Sequence, residues 1–328
     1  MKVAVLGCGG MGGVHADIYA KLADVHLTSV CDLRIETAEN VAARTGATAY
    51  GSFDRMLEEA EFDVVSIALP TYLHKEFTIK AAKARKHIIC EKPIALTAED
   101  AKEMIAVCEE NGVRLFVGHV VRFFPEYANM KEALDSGKLG RPGVAHASRI
   151  GGHPGRWFAD DARSGGVIVD LMIHDLDFLR SCLGEVGSVY AMNAKKEGLD
   201  YALVTLRFEN GAVANVESNW GYPGPFHTKA EIAGSKGIIR ANSLKSSSLQ
   251  LVKQGTPDNG NAPVVISDSP GFRSPYELQL EHFLACIRDG SKPVVTADDA
   301  FKALELALAA KKSALTGRVV YLKGGIGQ

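Results

Sequence analysis

The sequence predicts an α/β fold in two parts: an N-terminal doubly wound parallel sheet, then a C-terminal α+β domain built on a large, mostly antiparallel sheet. Three observations carry that expectation. Short apolar runs alternate with helical segments from residue 1 to about 119, a glycine-rich turn joins the first run to the first helix, and from about 144 onward apolar and polar residues alternate in runs separated by turns. With 328 residues the chain is too long for one small core. The expected division is 1–120 and 121–328.

The first strand is expected over 2–6. Val3, Ala4, Val5 and Leu6 form an unbroken apolar run, which suits a strand buried on both faces. It enters Gly7-Cys8-Gly9-Gly10-Met11-Gly12, and a helix is expected over 11–22. In a dinucleotide-binding turn the first glycine allows the tight turn, the second admits a pyrophosphate, and the third lets helix and strand pack closely. The helix N-terminus adds free N–H groups and the positive end of its dipole. Gly7, Gly9, Gly10, Met11 and Gly12 are therefore candidate cofactor contacts in a Rossmann-type domain. The second strand, 27–31, ends in Asp32, twenty residues beyond Gly12, where a ribose-binding acid belongs. Its carboxylate favours NAD over NADP by repelling a 2′-phosphate, while Arg34 pulls the other way. Asp32 also reads as a plain cap for a helix over 34–45.

Strands over 64–68, 87–90 and 114–117, with helices over 73–85 and 97–110, complete the first domain. Doubly wound sheets bind ligands at the carboxyl ends of their strands. That directs attention to Ala68-Leu69-Pro70-Thr71-Tyr72-Leu73-His74, with Ala68, Pro70, Thr71 and His74 as candidate cofactor contacts; His74 reads equally as a helix-start residue with no ligand. The next strand delivers Glu91-Lys92-Pro93. Proline fixes its own φ and holds Lys92 extended, so the two charged side chains are aimed. Taken alone, the pair is also readable as solvated charges.

Beyond a helix over 123–136, strands are expected over 144–150, 187–194, 201–208, 212–219, 228–233 and 237–241, with hairpin turns at Glu209-Asn210-Gly211 and Gly234-Ser235-Lys236-Gly237. Residues 253–263 read as an exposed loop. Helices are expected over 274–290 and 297–316, the last packing back near the first domain. A buried helix over 166–183 carries Asp170, His174, Asp177 and Ser181 on one stripe at the α-helical period. That stripe reads as the lining of a cleft, as a structural Asp–His pair, or as part of a metal site that lacks enough ligands elsewhere in the chain. No metal is expected. The loop over 151–163 carries Arg156 and Trp157, which suit either a sugar or an ordinary surface loop. Arg122, Arg149, Trp157, Tyr276 and His282 are further substrate-site candidates.

Composition narrows the class. A hydrophobic fraction of 46% and a net charge of −2 are those of an ordinary globular protein with no basic surface for nucleic acid. The six cysteines form no C-x-x-C pair, so reduced buried thiols are expected. No secretory leader is visible and no apolar run reaches membrane-spanning length. The expected location is the cytoplasm, with no membrane partner.

In order along the chain, Gly7-x-Gly9-x-x-Gly12 with Asp32, Pro70-Thr71-x-x-His74, Glu91-Lys92-Pro93, Gly118-His119-Val120-Val121-Arg122-Phe123-x-Pro125, Gly165-Gly166-x-x-x-Asp170-x-x-x-His174 and Gly234-Ser235-Lys236-Gly237 resemble the glucose–fructose oxidoreductase/inositol dehydrogenase/MocA family. The resemblance spans essentially the whole chain. It implies that Lys92 lies at the nicotinamide end and assists catalysis, that Asp170 and His174 are the catalytic pair, and that the Lys92–Pro93 bond is cis. It further implies a homodimer or homotetramer formed through the C-terminal sheet. The chain departs from inositol-dehydrogenase-like relatives at Val120-Val121, where they often carry Asn-Arg. Two polar groups near the cofactor pocket thus become valines, which counts against inositol but not against the reaction type.

The expected function is NAD-dependent hydride transfer from a ring hydroxyl carbon of a sugar, cyclitol or sugar derivative. His174 is the expected general base, Asp170 its orienting partner, and Lys92 the cation at the reacting oxygen. Two rivals remain at this stage: a non-enzymatic dinucleotide sensor on the same fold, and an enzyme that keeps its cofactor and shuttles hydride between two sugars.

Overall fold

The computed structural model describes residues 1–244 and 273–322, with the short strand pair Leu251–Val252 (β13) and Val265–Ile266 (β14) between them. The loop expected over 253–263 lies outside the described residues. Strands β1 (Lys2–Leu6), β2 (His26–Cys31), β3 (Thr48–Tyr50), β4 (Val64–Ile67), β5 (His87–Cys90) and β6 (Leu115–Val117) form one sheet in the order β3-β2-β1-β4-β5-β6. All its pairings are parallel. The strand order reverses between β1 and β4, which opens a crevice at their carboxyl ends. All four residues of β4 are buried, as an apolar run covered on both faces requires. Helices α1 (Gly10–Tyr19), α2 (Ile35–Thr45), α3 (Phe53–Glu59), α4 (His74–Lys83) and α5 (Ala98–Glu110) make the connections. The sequence reading had no counterpart for β3 or α3, which are three and seven residues long. Elements this short carry too little periodicity to register.

Helix α6 (Pro125–Asp135) leads to the second sheet, made of β7 (Pro142–Gly151), β8 (Val186–Lys196), β9 (Leu199–Phe208), β10 (Val213–Trp220), β11 (His227–Gly234), β12 (Gly237–Asn242) and β15 (Val320–Tyr321). Its order is β12-β11-β7-β10-β9-β8-β15. Only β7 and β10 pair in parallel; the other neighbours are antiparallel. In β10, Ala214, Val216, Ser218 and Trp220 are buried while the residues between them are not, so one face enters the core. Between β7 and β8 the chain forms the short helix α7 (Asp161–Ser164), a π-helical turn over Val167–Met172, and helix α8 (Ile173–Leu183).

Two late helices tie the halves together. Leu280, Phe283, Leu284 and Cys286 of α9 (Pro275–Asp289) join the core of the first sheet with Val3, Val5, Ile89 and Phe116. The Phe116 and Phe283 rings stack at 4.9 Å. Helix α10 (Ala297–Thr316) packs on β8 and α8 and also touches α5 and β6. The return of the last helix to the first domain was expected; the deeper return of α9 was not. All six cysteines are free. Among the described residues, no helix is long and apolar enough to cross a membrane.

Candidate active site

The glycine turn is built by close backbone approach. Gly7 donates its N–H to the Cys31 carbonyl at 2.8 Å and has φ +91°. A Cβ on Gly7 would lie 2.6 Å from the Ala68 carbonyl oxygen, and one on Gly12 would lie 1.6 Å from the Gly7 carbonyl oxygen. Neither position tolerates a side chain. Gly9 and Gly10 differ: a Cβ there meets nothing within 4 Å. The α1 N-terminus at Gly9 has no side-chain cap, and Met11 follows in its first turn. Free N–H groups, a positive dipole end and open space at Gly9 and Gly10 fit the diphosphate of a dinucleotide.

Asp32 closes β2 with one carboxylate oxygen accepting from the Cys8 N–H and the other from the Arg34 N–H, both at 2.9 Å. It braces the glycine turn; the cap of α2 is Arg34 itself, with no side-chain hydrogen bond. The Arg34 side chain is exposed at this edge. The loop after β4 brings Ala68 and Leu69 against Gly7 and continues through Pro70 into a turn over Thr71–Leu73. His74 is buried, with Nδ1 2.8 Å from the Pro93 carbonyl and Nε2 2.8 Å from the Leu69 carbonyl. The ring thus lies between the carbonyls of two loops of the crevice, and in its neutral form its single N–H donates to one of them.

The end of β5 delivers the charged pair. Glu91 donates its backbone N–H to the Ile67 carbonyl, and the Lys92–Pro93 bond is cis. Lys92 Nζ donates to the backbone carbonyl of Asp170 at 2.7 Å and to its carboxylate at 3.1 Å. This contact joins the two halves of the chain, and only 16% of the Lys92 side chain remains exposed. The sequence reading made Asp170 the orienting partner of His174; the structure gives it to Lys92 instead. Asp170 lies in the π turn, whose hydrogen-bond spacing is wider than that of an α-helix, so the single stripe expected at 3.6 residues per turn divides. Asp170 goes to Lys92, Asp177 goes to Arg122, and Ser181 donates to the Phe178 carbonyl.

The buried His174 Nδ1 has no hydrogen-bond partner. Burial first, then the positive charges of Lys92 and Arg149 and the neighbouring His119, hold its pKa well below the usual imidazole range. The ring is therefore neutral near pH 7 and free to accept a proton. Arg149 is buried and bidentate to Asp175, at 2.8 and 3.1 Å. Tyr276, at the start of α9, has its phenol pKa raised by burial and by Glu91, with Arg149 opposing. Lys92, Asp170, His174, Arg149, Glu91 and Tyr276 thus share one electrostatic neighbourhood at the carboxyl edge of the first sheet.

Other candidates lie elsewhere. Arg122 donates to both Asp177 oxygens at 2.7 and 2.6 Å and to the Val294 carbonyl at 3.0 Å, with Asp299 at 3.5 Å. This knot fastens the end of β6 to α8 and α10. Trp157 is half-buried and stacks on Phe158 at 3.9 Å. His282 accepts from the Val294 N–H at 2.9 Å and packs on Phe123, so it is a framework residue. Sequence reasoning assigned no role to His15, His119 or Asp175, all fully buried; an apolar context hides a polar side chain whose partner is distant in sequence. At the Arg122 knot, burial pushes the Asp299 carboxyl up, but Arg122, Thr296 and Arg180 outweigh it and hold the pKa at about 2. The folded value lies below the unfolded one near 3.9, so its stabilisation is complete above about pH 4 and lost as pH falls through about 2. Asp299→Asn is expected to cost roughly 2 kcal/mol at neutral pH and progressively less toward pH 2, measured by chemical denaturation.

A parallel sheet with this strand order, a glycine turn shaped for a diphosphate, and a lysine and neutral imidazole meeting across the crevice define a dinucleotide-dependent oxidoreductase. Residues 1–119 match the family model described as an oxidoreductase family with an NAD-binding Rossmann fold, and residues 131–322 match the model of its C-terminal α/β domain. The chain belongs to the Gfo/Idh/MocA family. It is 32% identical over its whole length to the whole of a myo-inositol 2-dehydrogenase from Thermotoga maritima. It is also 32% identical to an NAD(+) scyllo-inositol 2-dehydrogenase from Bacillus subtilis, over 98% of this chain and 96% of that protein. The crystal structure of GenD2 from gentamicin A biosynthesis, in complex with NAD, superposes with a TM-score of 0.89 at 25% identity, covering 99% of this chain and 97% of that one. The two valines that seemed to count against inositol, Val120 and Val121, are 5% and 2% exposed and belong to the packed interior.

Proposed function

We propose that the protein oxidises a ring hydroxyl of a cyclitol or related sugar with NAD, using residues from both halves of the chain. The observation that carries this reading is the Lys92–Asp170 contact beside His174, which joins the carboxyl edge of the first sheet to the π turn of the second half. Gly9, Gly10 and the α1 N-terminus hold the diphosphate, Asp32 the adenosine ribose, and Pro70, Thr71 and Glu91 the middle and nicotinamide end. When bound, NAD supplies the hydride acceptor. His174 takes the hydroxyl proton as a general base, for which a neutral ring is required. Lys92 places its ammonium at the reacting oxygen and favours alkoxide character there. Asp170 fixes the Lys92 ammonium, while Arg149 and Tyr276 line the substrate side. Residues 1–120 form the cofactor domain and 121–328 the substrate domain, with α9 bringing Tyr276 back to the cleft.

The polar face of the second sheet, where a groove of about 490 Å³ is lined by His146, Ser148, Asn215, Glu217, Lys229 and Arg240, is the proposed contact for a homodimer or homotetramer. Its mixed charges suit self-complementary pairing. Six free thiols accord with a cytoplasmic location. The test is NADH appearance, followed by absorbance, across myo-inositol, scyllo-inositol, aldoses and sugar derivatives, with NADP in parallel. Turnover with NAD and one ring class supports the reading; no turnover with any ring while NAD binds overturns it.

A further inference from the structure

Beneath the Glu91–Lys92 pair runs a buried polar chain that the proposed chemistry does not use. Tyr19 on α1 donates its hydroxyl to Ser66 Oγ on β4 at 3.3 Å, and Ser66 Oγ lies 2.7 Å from His15 Nδ1. His15 Nε2 lies 3.0 Å from Glu91 Oε1 as an ion-pair contact and makes no hydrogen bond. Tyr19, Ser66 and His15 are all fully buried and Glu91 is 9% exposed. One arrangement of protons fits these contacts: Tyr19 donates to Ser66, Ser66 donates to Nδ1, and Nε2 carries its proton beside the Glu91 carboxylate. The chain therefore has a direction, and it ends on an anion. It begins on the helix that receives the diphosphate and finishes beside Lys92, at the sheet edge where the crevice lies.

We infer that the Tyr19–Ser66–His15–Glu91 chain sets which oxidation state of the bound cofactor this protein prefers, by keeping a carboxylate anionic at the nicotinamide end. The oxidised nicotinamide ring carries a positive charge and the reduced ring does not, so a fixed anion stabilises the oxidised form selectively. This rests on the NAD-dependent reading above. His15, Ser66 and Tyr19 are positioning residues acting through Glu91. Burial by itself pushes the Glu91 carboxyl up; the His15 contact, then Lys92 and His74, reverse that and hold it below the usual range. The titratable groups facing Glu91 are His15 and Tyr19 on α1, His74 on α4, its neighbours Cys90 and Lys92, His119 after β6, and Tyr276 on α9.

The experiment measures dissociation constants for NAD+ by calorimetry and for NADH by fluorescence, on the full chain. Glu91→Gln, nearly isosteric, is expected to raise the ratio Kd(NAD+)/Kd(NADH) about tenfold at every pH, equivalent to about 30 mV in the bound two-electron couple. In His15→Phe the carboxyl loses its donor and titrates higher. Its ratio is therefore expected to match wild type near pH 8.5 and to approach the Glu91→Gln value by about pH 5.5, a dependence that general loss of packing does not produce. Should His15→Phe fail to fold, Ser66→Ala takes its place, with a smaller shift in the same direction. An unchanged ratio in Glu91→Gln, with both forms bound, overturns the inference. A pH-independent, wild-type ratio in the His15 or Ser66 variant overturns the role of the chain. Wild-type protein that binds neither form overturns the NAD reading itself.

Discussion

Lys92→Met is expected to lower kcat/KM by about 10²–10³-fold, the cost typical of removing one preorganised charge aimed at a developing oxyanion, while leaving the dissociation constant for NAD within a few-fold of wild type. The same ammonium also bears on the base. Lys92 lies second only to burial in lowering the His174 pKa. Its loss must therefore raise the imidazole toward its ordinary range near 6.5, which an NMR titration of the His174 ring detects even when turnover is too slow to follow. The Asp170 carboxylate loses its partner as well, so a modest drop in melting temperature is expected. A Lys92→Met variant with full activity contradicts the assignment, and one that has lost NAD affinity moves Lys92 from chemistry to cofactor binding.

Gly12→Ala is the second large effect. A methyl group 1.6 Å from the Gly7 carbonyl oxygen cannot be accommodated by a rotamer change, because both partners are backbone. The turn between β1 and α1 must open, which moves the helix N-terminus away from the diphosphate. NAD affinity is expected to fall roughly 100-fold or more, about 2.7 kcal/mol, with a clear loss of thermal stability. Gly10→Ala provides the contrast, since a Cβ there enters open space. That variant is expected to keep the wild-type melting temperature and lose affinity only, because the new methyl projects where the diphosphate is placed. Calorimetry and thermal denaturation of the pair separate damage to the fold from occupation of the site.

The features legible in the sequence were those written in local pattern. The apolar run through Val64 and Val65 marks a strand buried on both faces, and the glycine spacing after β1 marks the turn. Glu91-Lys92-Pro93 at a strand end marks the crevice edge. What escaped depended on partners far apart in the chain. The pattern of Leu280, Phe283 and Leu284 announces an apolar face on α9 but does not say that it meets Phe116 rather than the second sheet. A 3.6-residue period aligns Asp170 with His174, and only the π turn together with Lys92 on the other side of the cleft reveals that Asp170 contacts Lys92. Arg122 reads as a substrate-site candidate, and its ion pairs with Asp177 and Asp299 cannot be read from the chain. His15 reads as one more polar residue on α1 until Glu91 and Ser66 are found at its two nitrogens.

The central claim is direct hydride transfer from a ring carbinol carbon in a cleft where Lys92 and His174 meet. The measurement that tests it most directly follows the label from myo-inositol or scyllo-inositol deuterated at the ring carbons, incubated with NAD and the protein. Deuterium is expected at nicotinamide C4 of the NADH formed, on one face only, with a slower transfer step than for unlabelled substrate and strongly diminished transfer in Lys92→Met and His174→Asn. NADH that forms without the label, or label transfer undiminished in both variants, contradicts it.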